Sequence, residues 1–348
     1  MKAYLQIENG LTMEGNVFGH VGDTMGEVVF NTGMTGYQEI MTDPSYYGQM
    51  VVMTYPLIGN YGVNLDDSQS ERPQIKGLIV RERCEYPSNF RCELTLDGFL
   101  KYNRITGIEG VDTRYLTKVI RSYGTMRGVI TQKRLTETKL KDLLALYDNT
   151  NAVHEVSTKK PYHIDGKGKH LAVLDYGIKN NIINSFKEKN LKITIFPSDT
   201  KADEVLSYNP DGIFLSNGPG DPKDYGEIIC NVGKLIKEKP TIAICLGHQL
   251  TALALGGNTV KLPFGHRGCN HPVKDIKNDH VYITSQNHGY VVDKVPDEME
   301  VTHVSMNDGT VEGLRHRDLP VFSVQFHPEA SPGPDDAHEL FDEFLKLI

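Results

Sequence analysis

Residues 241–250 read TIAICLGHQL, a short apolar run that stops at Cys245 and passes directly into a stretch with helical spacing. A run of this kind places the side chain at its end on the carboxyl edge of a parallel sheet, where the chain turns from strand to helix. Ala243 and Gly247 stand two residues to either side of Cys245, and small residues there let strand and helix approach closely. The partial positive charge at a helix start favours a thiolate over a thiol, whose ordinary pKa is about 8.5. Position alone leaves a second reading open, that of a cysteine buried in the core.

Outward from this point the pattern is regular. Apolar runs at 171–174, 191–196 and 212–215 alternate with helical spacing at 178–187, 202–208 and 225–237, and the helix after Cys245, 246–255, closes on Gly256-Gly257. Strands alternating with helices predict βαβ units, hence a mainly parallel sheet flanked by helices. Residues 281–284, 300–303 and 321–326 read as further strands, and 336–347 as a terminal amphipathic helix.

Before it, residues 151–169 are polar, carry Pro161, Gly166 and Gly168, and follow neither period, so they read as a linker. The stretch 1–150 mixes strand-like runs at 26–31, 50–54, 75–81 and 126–131 with helical spacing at 113–122 and 136–146. The fold class expected is α/β, with a smaller mixed α/β domain (1–150), a linker (151–169) and a parallel-sheet domain (170–348). Two domains also suit 348 residues, more than one core usually serves.

Composition removes several classes of function. A net charge of −8 argues against a nucleic-acid partner. The opening residues lack a basic start followed by an apolar core, and no stretch suits a bilayer, so no membrane and a cytoplasmic location are expected. Five scattered cysteines without a CxxC pair suggest free thiols, and thirteen histidines without HExxH or close Cys/His spacing suggest no metal. No GxxxxGK[ST] loop occurs, so no nucleotide cofactor is expected on this chain.

Two further motifs bear on Cys245. PVFSVQFHPEA, residues 320–330, is an apolar strand ending in His327-Pro328-Glu329. A thiol nucleophile needs a base, and the base needs a carboxylate to hold its tautomer; in extended chain, residues two apart point the same way. SNGPGDP, residues 216–222, follows a strand, and its glycines can turn backbone N–H groups inward as an oxyanion hole requires. Taken singly, the first also reads as a solvated turn and the second as an ordinary glycine-proline turn.

Together CLGHQ, SNGPGDP and HPEA resemble the class I glutamine amidotransferases, whose catalytic groups are Cys, His and Glu. FGHRGCNHPV (264–273), QNHGY (286–290) and HPEASPGPDDA (327–337) narrow the resemblance to the carbamoyl phosphate synthetase small subunit. So do GEVVFNTGMTGYQEIMTDPSYYGQ (26–49), YPLIGNYGVN (55–64) and GVDTRYLTKVIRSYGTMRGVI (110–130). The last three discriminate best, because other amidotransferases of this class, such as the anthranilate synthase subunit, lack that half. A non-catalytic scaffold and an unrelated cysteine peptidase are the other readings considered.

The resemblance implies catalytic Cys245, His327 and Glu329, and a glutamine pocket at Ser45, Gly218, Gly220, Leu246, Gln249, Asn287, Gly289 and Tyr290. Ser45 would reach it from the other domain. It implies hydrolysis of L-glutamine through a thioester and transfer of ammonia to a large synthetase subunit. That subunit would carry ATP and magnesium and make carbamoyl phosphate from bicarbonate for arginine and pyrimidine synthesis, within a heterodimer. Ala243 and Cys269 stand where the family usually has glycine.

Overall fold

The structure, a computed structural model, describes residues 1–348 and divides into two compact units, Met1–Asn149 and Thr150–Ile348. In the first unit seven strands close into a barrel. Their order around it is Lys2–Ile7, Thr12–Gly19, Thr106–Glu109, Gly77–Ile79, Gln49–Met53, Thr24–Asn31 and Met126–Thr131, the last pairing back to the first. Closure leaves no free sheet edge. Helix Thr113–Tyr123 begins where the Asp112 side chain accepts the Tyr115 N–H, and Glu137–Leu144 begins likewise at Thr136.

This unit is richer in strands than its sequence suggests, because Lys2–Ile7, Thr12–Gly19 and Thr106–Glu109 were not expected. In Thr12–Gly19 only Phe18 and Gly19 are buried, so the strand lacks the clean alternation that marks one from sequence. It is held by its neighbours on both sides instead.

The second unit is built on one ten-stranded sheet. Its centre is parallel and runs Lys192–Pro197, His170–Asp175, Gly212–Leu215, Thr241–Ile244, Val321–Val324. Residues on these strands bury into an apolar cluster on each face, one under helices Gly226–Glu238 and Leu246–Ala254, the other under Asn180–Glu188 and Leu340–Leu347. The sheet then continues in antiparallel pairing through Val311–His316, Met299–Ser305, Asn258–Asp275 and His280–Lys294.

Asn258–Asp275 is an 18-residue strand that the sequence hid. Pro263, Gly265, Gly268 and Pro272 interrupt it, and such residues normally argue against a strand. A register shift between Lys261 and His266 takes up Pro263 and Gly265, a second follows Gly268, and Pro272 stays in register opposite Ile283. Residues 151–169, read as linker, carry helix Ala152–Val156 and strand Tyr162–Ile164, the latter pairing antiparallel to Lys192–Pro197. No helix is long and apolar enough to cross a membrane.

Phe186 is fully buried, edge-on to Phe214 at 4.9 Å and to Phe341 at 5.3 Å between ring centroids. Phe186→Ala is expected to destabilise the second unit by about 3–5 kcal/mol, read as a lower urea midpoint, while leaving the barrel's strand content by circular dichroism unchanged.

Candidate active site

Cys245 sits between strand Thr241–Ile244 and helix Leu246–Ala254 with φ 54° and ψ −104°. A side chain other than glycine rarely adopts a positive φ, so the surroundings must hold it there. Two hydrogen bonds do so: Cys245 N–H donates to the Val324 carbonyl at 2.9 Å, and Gly247 N–H donates to the Ser216 carbonyl at 3.0 Å. The helix is pressed so close to the neighbouring strand that a Cβ on Gly247 would lie 2.2 Å from the Leu215 carbonyl oxygen. The thiol is buried and donates to the Asn287 carbonyl at 3.6 Å. Leu246 carries the first helical N–H, a group with no partner inside the helix.

His327 lies just past strand Val321–Val324, its N–H bonded to the Ser285 carbonyl at 2.9 Å. The strand ends earlier than its apolar run suggests. Residues 327–330 form a turn, closed by Ala330 N–H on the His327 carbonyl at 3.1 Å. This turn, not extended-chain alternation, brings Glu329 Oε1 to 2.7 Å from His327 Nδ1. His327 Nε2 is buried without a hydrogen-bond partner.

One participant was missed in the sequence. Lys179 is 2% exposed, and its Nζ donates to Glu329 Oε1 at 2.9 Å and to the Ala330 carbonyl. Its place follows from Asp175, whose carboxylate accepts the N–H groups of Gly177 and Ile178 and turns the chain at the end of strand His170–Asp175. A lysine directly after an apolar strand, in DYGIK, was the available signal.

The charges settle as a chain. Burial alone would push the Glu329 carboxyl up, but the Lys179 ammonium and then the His327 ring outweigh it and hold it down at about 2. Burial alone would push His327 down, but the Glu329 carboxylate and then the Cys245 sulfur hold it up at about 10. A buried imidazole whose Nδ1 is held by a carboxylate, beside a thiol at a strand-to-helix turn, can shuttle one proton on Nε2 between the sulfur and a leaving group.

The residues expected around the thiol divide by unit. In the second unit, Asn287 contacts Cys245 through its carbonyl, and Gln249 Nε2 donates to the Tyr290 carbonyl at 2.8 Å and to Gln325 Oε1 at 3.0 Å. Gly289 lies between Asn287 and Tyr290 on strand His280–Lys294. Gly218 stands where a Cβ would come within 2.2 Å of the Tyr176 carbonyl oxygen and 2.9 Å of Leu246 Cδ2. Gly220, in the same loop, has φ 93°. Ser45 belongs to the first unit, buried in the short helix Pro44–Tyr46, with its N–H on Asp43 Oδ1 at 2.9 Å.

Two family models match the chain: the carbamoyl-phosphate synthase small chain, CPSase domain, over residues 5–130, and glutamine amidotransferase class-I over residues 172–347. A carbamoyl phosphate synthase small chain from Clostridium perfringens is 59% identical, covering 99% of each chain. One from Clostridium acetobutylicum is 53% identical over 100% of both. A pyrimidine-specific small chain from Bacillus subtilis is 51% identical, over 100% of this chain and 96% of that one.

The two shifted groups set a pH window. Glu329, lowered from 4.5 to about 2, adds stability that is complete above about 4.5 and vanishes as pH falls toward 2. His327, raised from 6.5 to about 10, adds stability that is complete below about 6.5 and vanishes as pH climbs toward 10. The urea midpoint of the wild type should therefore exceed that of Glu329→Gln most between these limits, and the gap should close as pH drops from 4.5 toward 2. A gap that stays constant over that range would contradict the assignment.

Proposed function

The chain belongs to the carbamoyl-phosphate synthase small-chain family and is a glutamine-hydrolysing synthase subunit, and we propose that it works through a thioester on Cys245 with His327 and Glu329. The observation that carries this is the turn at Cys245, which presents a thiol beside a buried, carboxylate-held imidazole.

In the proposed sequence the Cys245 thiolate attacks the side-chain carboxamide carbon of glutamine. Backbone N–H groups of Leu246 and Gly220 receive the oxyanion. The carbon–nitrogen bond breaks as His327 gives its proton to the departing nitrogen, releasing ammonia. His327 then takes a proton from water, which attacks the thioester, and the thiolate leaves with glutamate as product. Glu329 holds the ring, and Lys179 holds Glu329 by donating to the same Oε1 and anchoring the adjacent Ala330 carbonyl.

Ser45, Gly218, Gln249, Asn287, Gly289 and Tyr290 are proposed to grip the amino-acid end of glutamine, which orients the amide for attack. The ammonia passes to a large partner subunit, where ATP and magnesium serve carbamoyl phosphate formation. No cofactor is assigned to this chain.

Glutaminase assays of the chain, alone and with a candidate large subunit, test the reading. Cys245→Ser is expected to lose on the order of 10³-fold or more in kcat, and His327→Asn as much, because residues that act as a unit fail together. Lys179→Met should lower kcat and move the basic limb of its pH profile, whereas Ser45→Ala should raise KM about tenfold, one lost hydrogen bond, with little change in kcat. Full turnover by Cys245→Ser would sink the mechanism.

A further inference from the structure

Three strands of the antiparallel part of the sheet bring His266, His288 and Glu312 together. All three are buried, and one ligand-type atom from each lies within 4.8 Å of the others. His266 and His288 face each other in register on Asn258–Asp275 and His280–Lys294, and Glu312 comes from Val311–His316. His266 Nδ1 is 3.6 Å from Glu312 Oε1, and His288 Nε2 is 4.0 Å from the same oxygen. These gaps are too long for hydrogen bonds, and both His266 Nδ1 and Glu312 Oε1 are buried without one.

The outer atoms of the cluster are all held. His266 Nε2 meets Asp308 Oδ2 at 2.8 Å, His288 Nδ1 meets the Tyr290 carbonyl at 2.9 Å, and Glu312 Oε2 accepts Gln286 Nε2 at 2.9 Å. That last bond fixes the Gln286 amide, so its Oε1 points at His288 Nε2, 2.8 Å away. A neutral imidazole has one N–H and cannot donate to the Tyr290 carbonyl and to Gln286 at once. With that one proton on the Tyr290 side, His288 Nε2 turns a lone pair toward Gln286 Oε1, and His266 Nδ1 and Glu312 Oε1 stand without hydrogen-bond partners beside it.

We propose that His266 Nδ1, His288 Nε2, Glu312 Oε1 and Gln286 Oε1 form a buried structural site for one divalent cation of the zinc class. Two imidazoles and a carboxylate suit a borderline ion of that kind. Acceptor oxygens on the outer ring nitrogens are the arrangement that fixes metal-binding histidines in tautomer and orientation. Ligands about 2.0–2.1 Å from a tetrahedral ion stand roughly 3.3 Å apart, so the two histidine nitrogens need to move less than about an ångström toward Glu312 Oε1. Sequence spacing pointed away from metal because the ligands come from three separate strands. The ion would pin the segment that carries Asn287, Gly289 and Tyr290. The proposal does not rest on the proposed chemistry at Cys245.

The test is metal retention by the intact chain, in the Cys245→Ala background so that the thiol cannot bind the ion. After loading with Co²⁺ or Zn²⁺ and dialysis, about one equivalent should remain, with a cobalt absorption band typical of nitrogen and oxygen ligands and a raised Tm. Both His266→Asn and Glu312→Gln should lose the retained ion. Retention below about a tenth of an equivalent would overturn the site and leave His266 as a protonated partner of the two carboxylates. Retention unchanged in the variants would overturn it too, by placing the ion elsewhere. If Glu312→Gln fails to fold, the Cys245→Ala chain and the His266→Asn variant still decide.

Discussion

A non-glycine residue held at positive φ is the constraint on which the rest of the second unit depends. Cys245 turns the chain from strand to helix within one residue. It stays there because its N–H is tied to Val324, on one neighbouring strand, and the Gly247 N–H to Ser216, beyond the other. The parallel sheet supplies both partners, so the strain is borne by the best-buried part of the molecule. What results is a thiol at a sheet edge, beside a helix amide that no intrahelical carbonyl can reach.

A second constraint is electrostatic. Lys179, Glu329 and His327 are buried together, and taking one such charge out of water is unfavourable unless it is matched. Here each is matched by the next, and the chain of charges ends at the sulfur. The ammonium comes from the turn after one strand and the other two from the turn after another. Losing Glu329 would leave both of the others buried without their shared partner, which ties the geometry of the site to the stability of the unit.

Much of the parallel sheet was legible because its strands and helices are short, uninterrupted and strongly periodic: Gly212–Leu215 and Thr241–Ile244 fall on the expected residues. The antiparallel extension was not, since Asn258–Asp275 is built around prolines and glycines that only its bulged pairing tolerates. The barrel was half legible, its first two strands being recognisable only once closure supplies neighbours on both sides. Lys179 went unseen for a similar reason. A lone lysine after a strand reads as solvated surface until the turn of residues 327–330 places a carboxylate against it.

By itself the sequence determined which chemistry was available: a cysteine at the end of an apolar run, an HPE motif, a glycine loop and the motifs of the N-terminal half, all local patterns carried by neighbouring residues. Only the tertiary structure decided which groups meet. Glu329 reaches His327 through a turn, Lys179 joins them across 150 residues of chain, and His266, His288 and Glu312 converge from three strands. Such contacts depend on register and closure, which are set by the packing of the whole sheet and leave no spacing for a sequence to display.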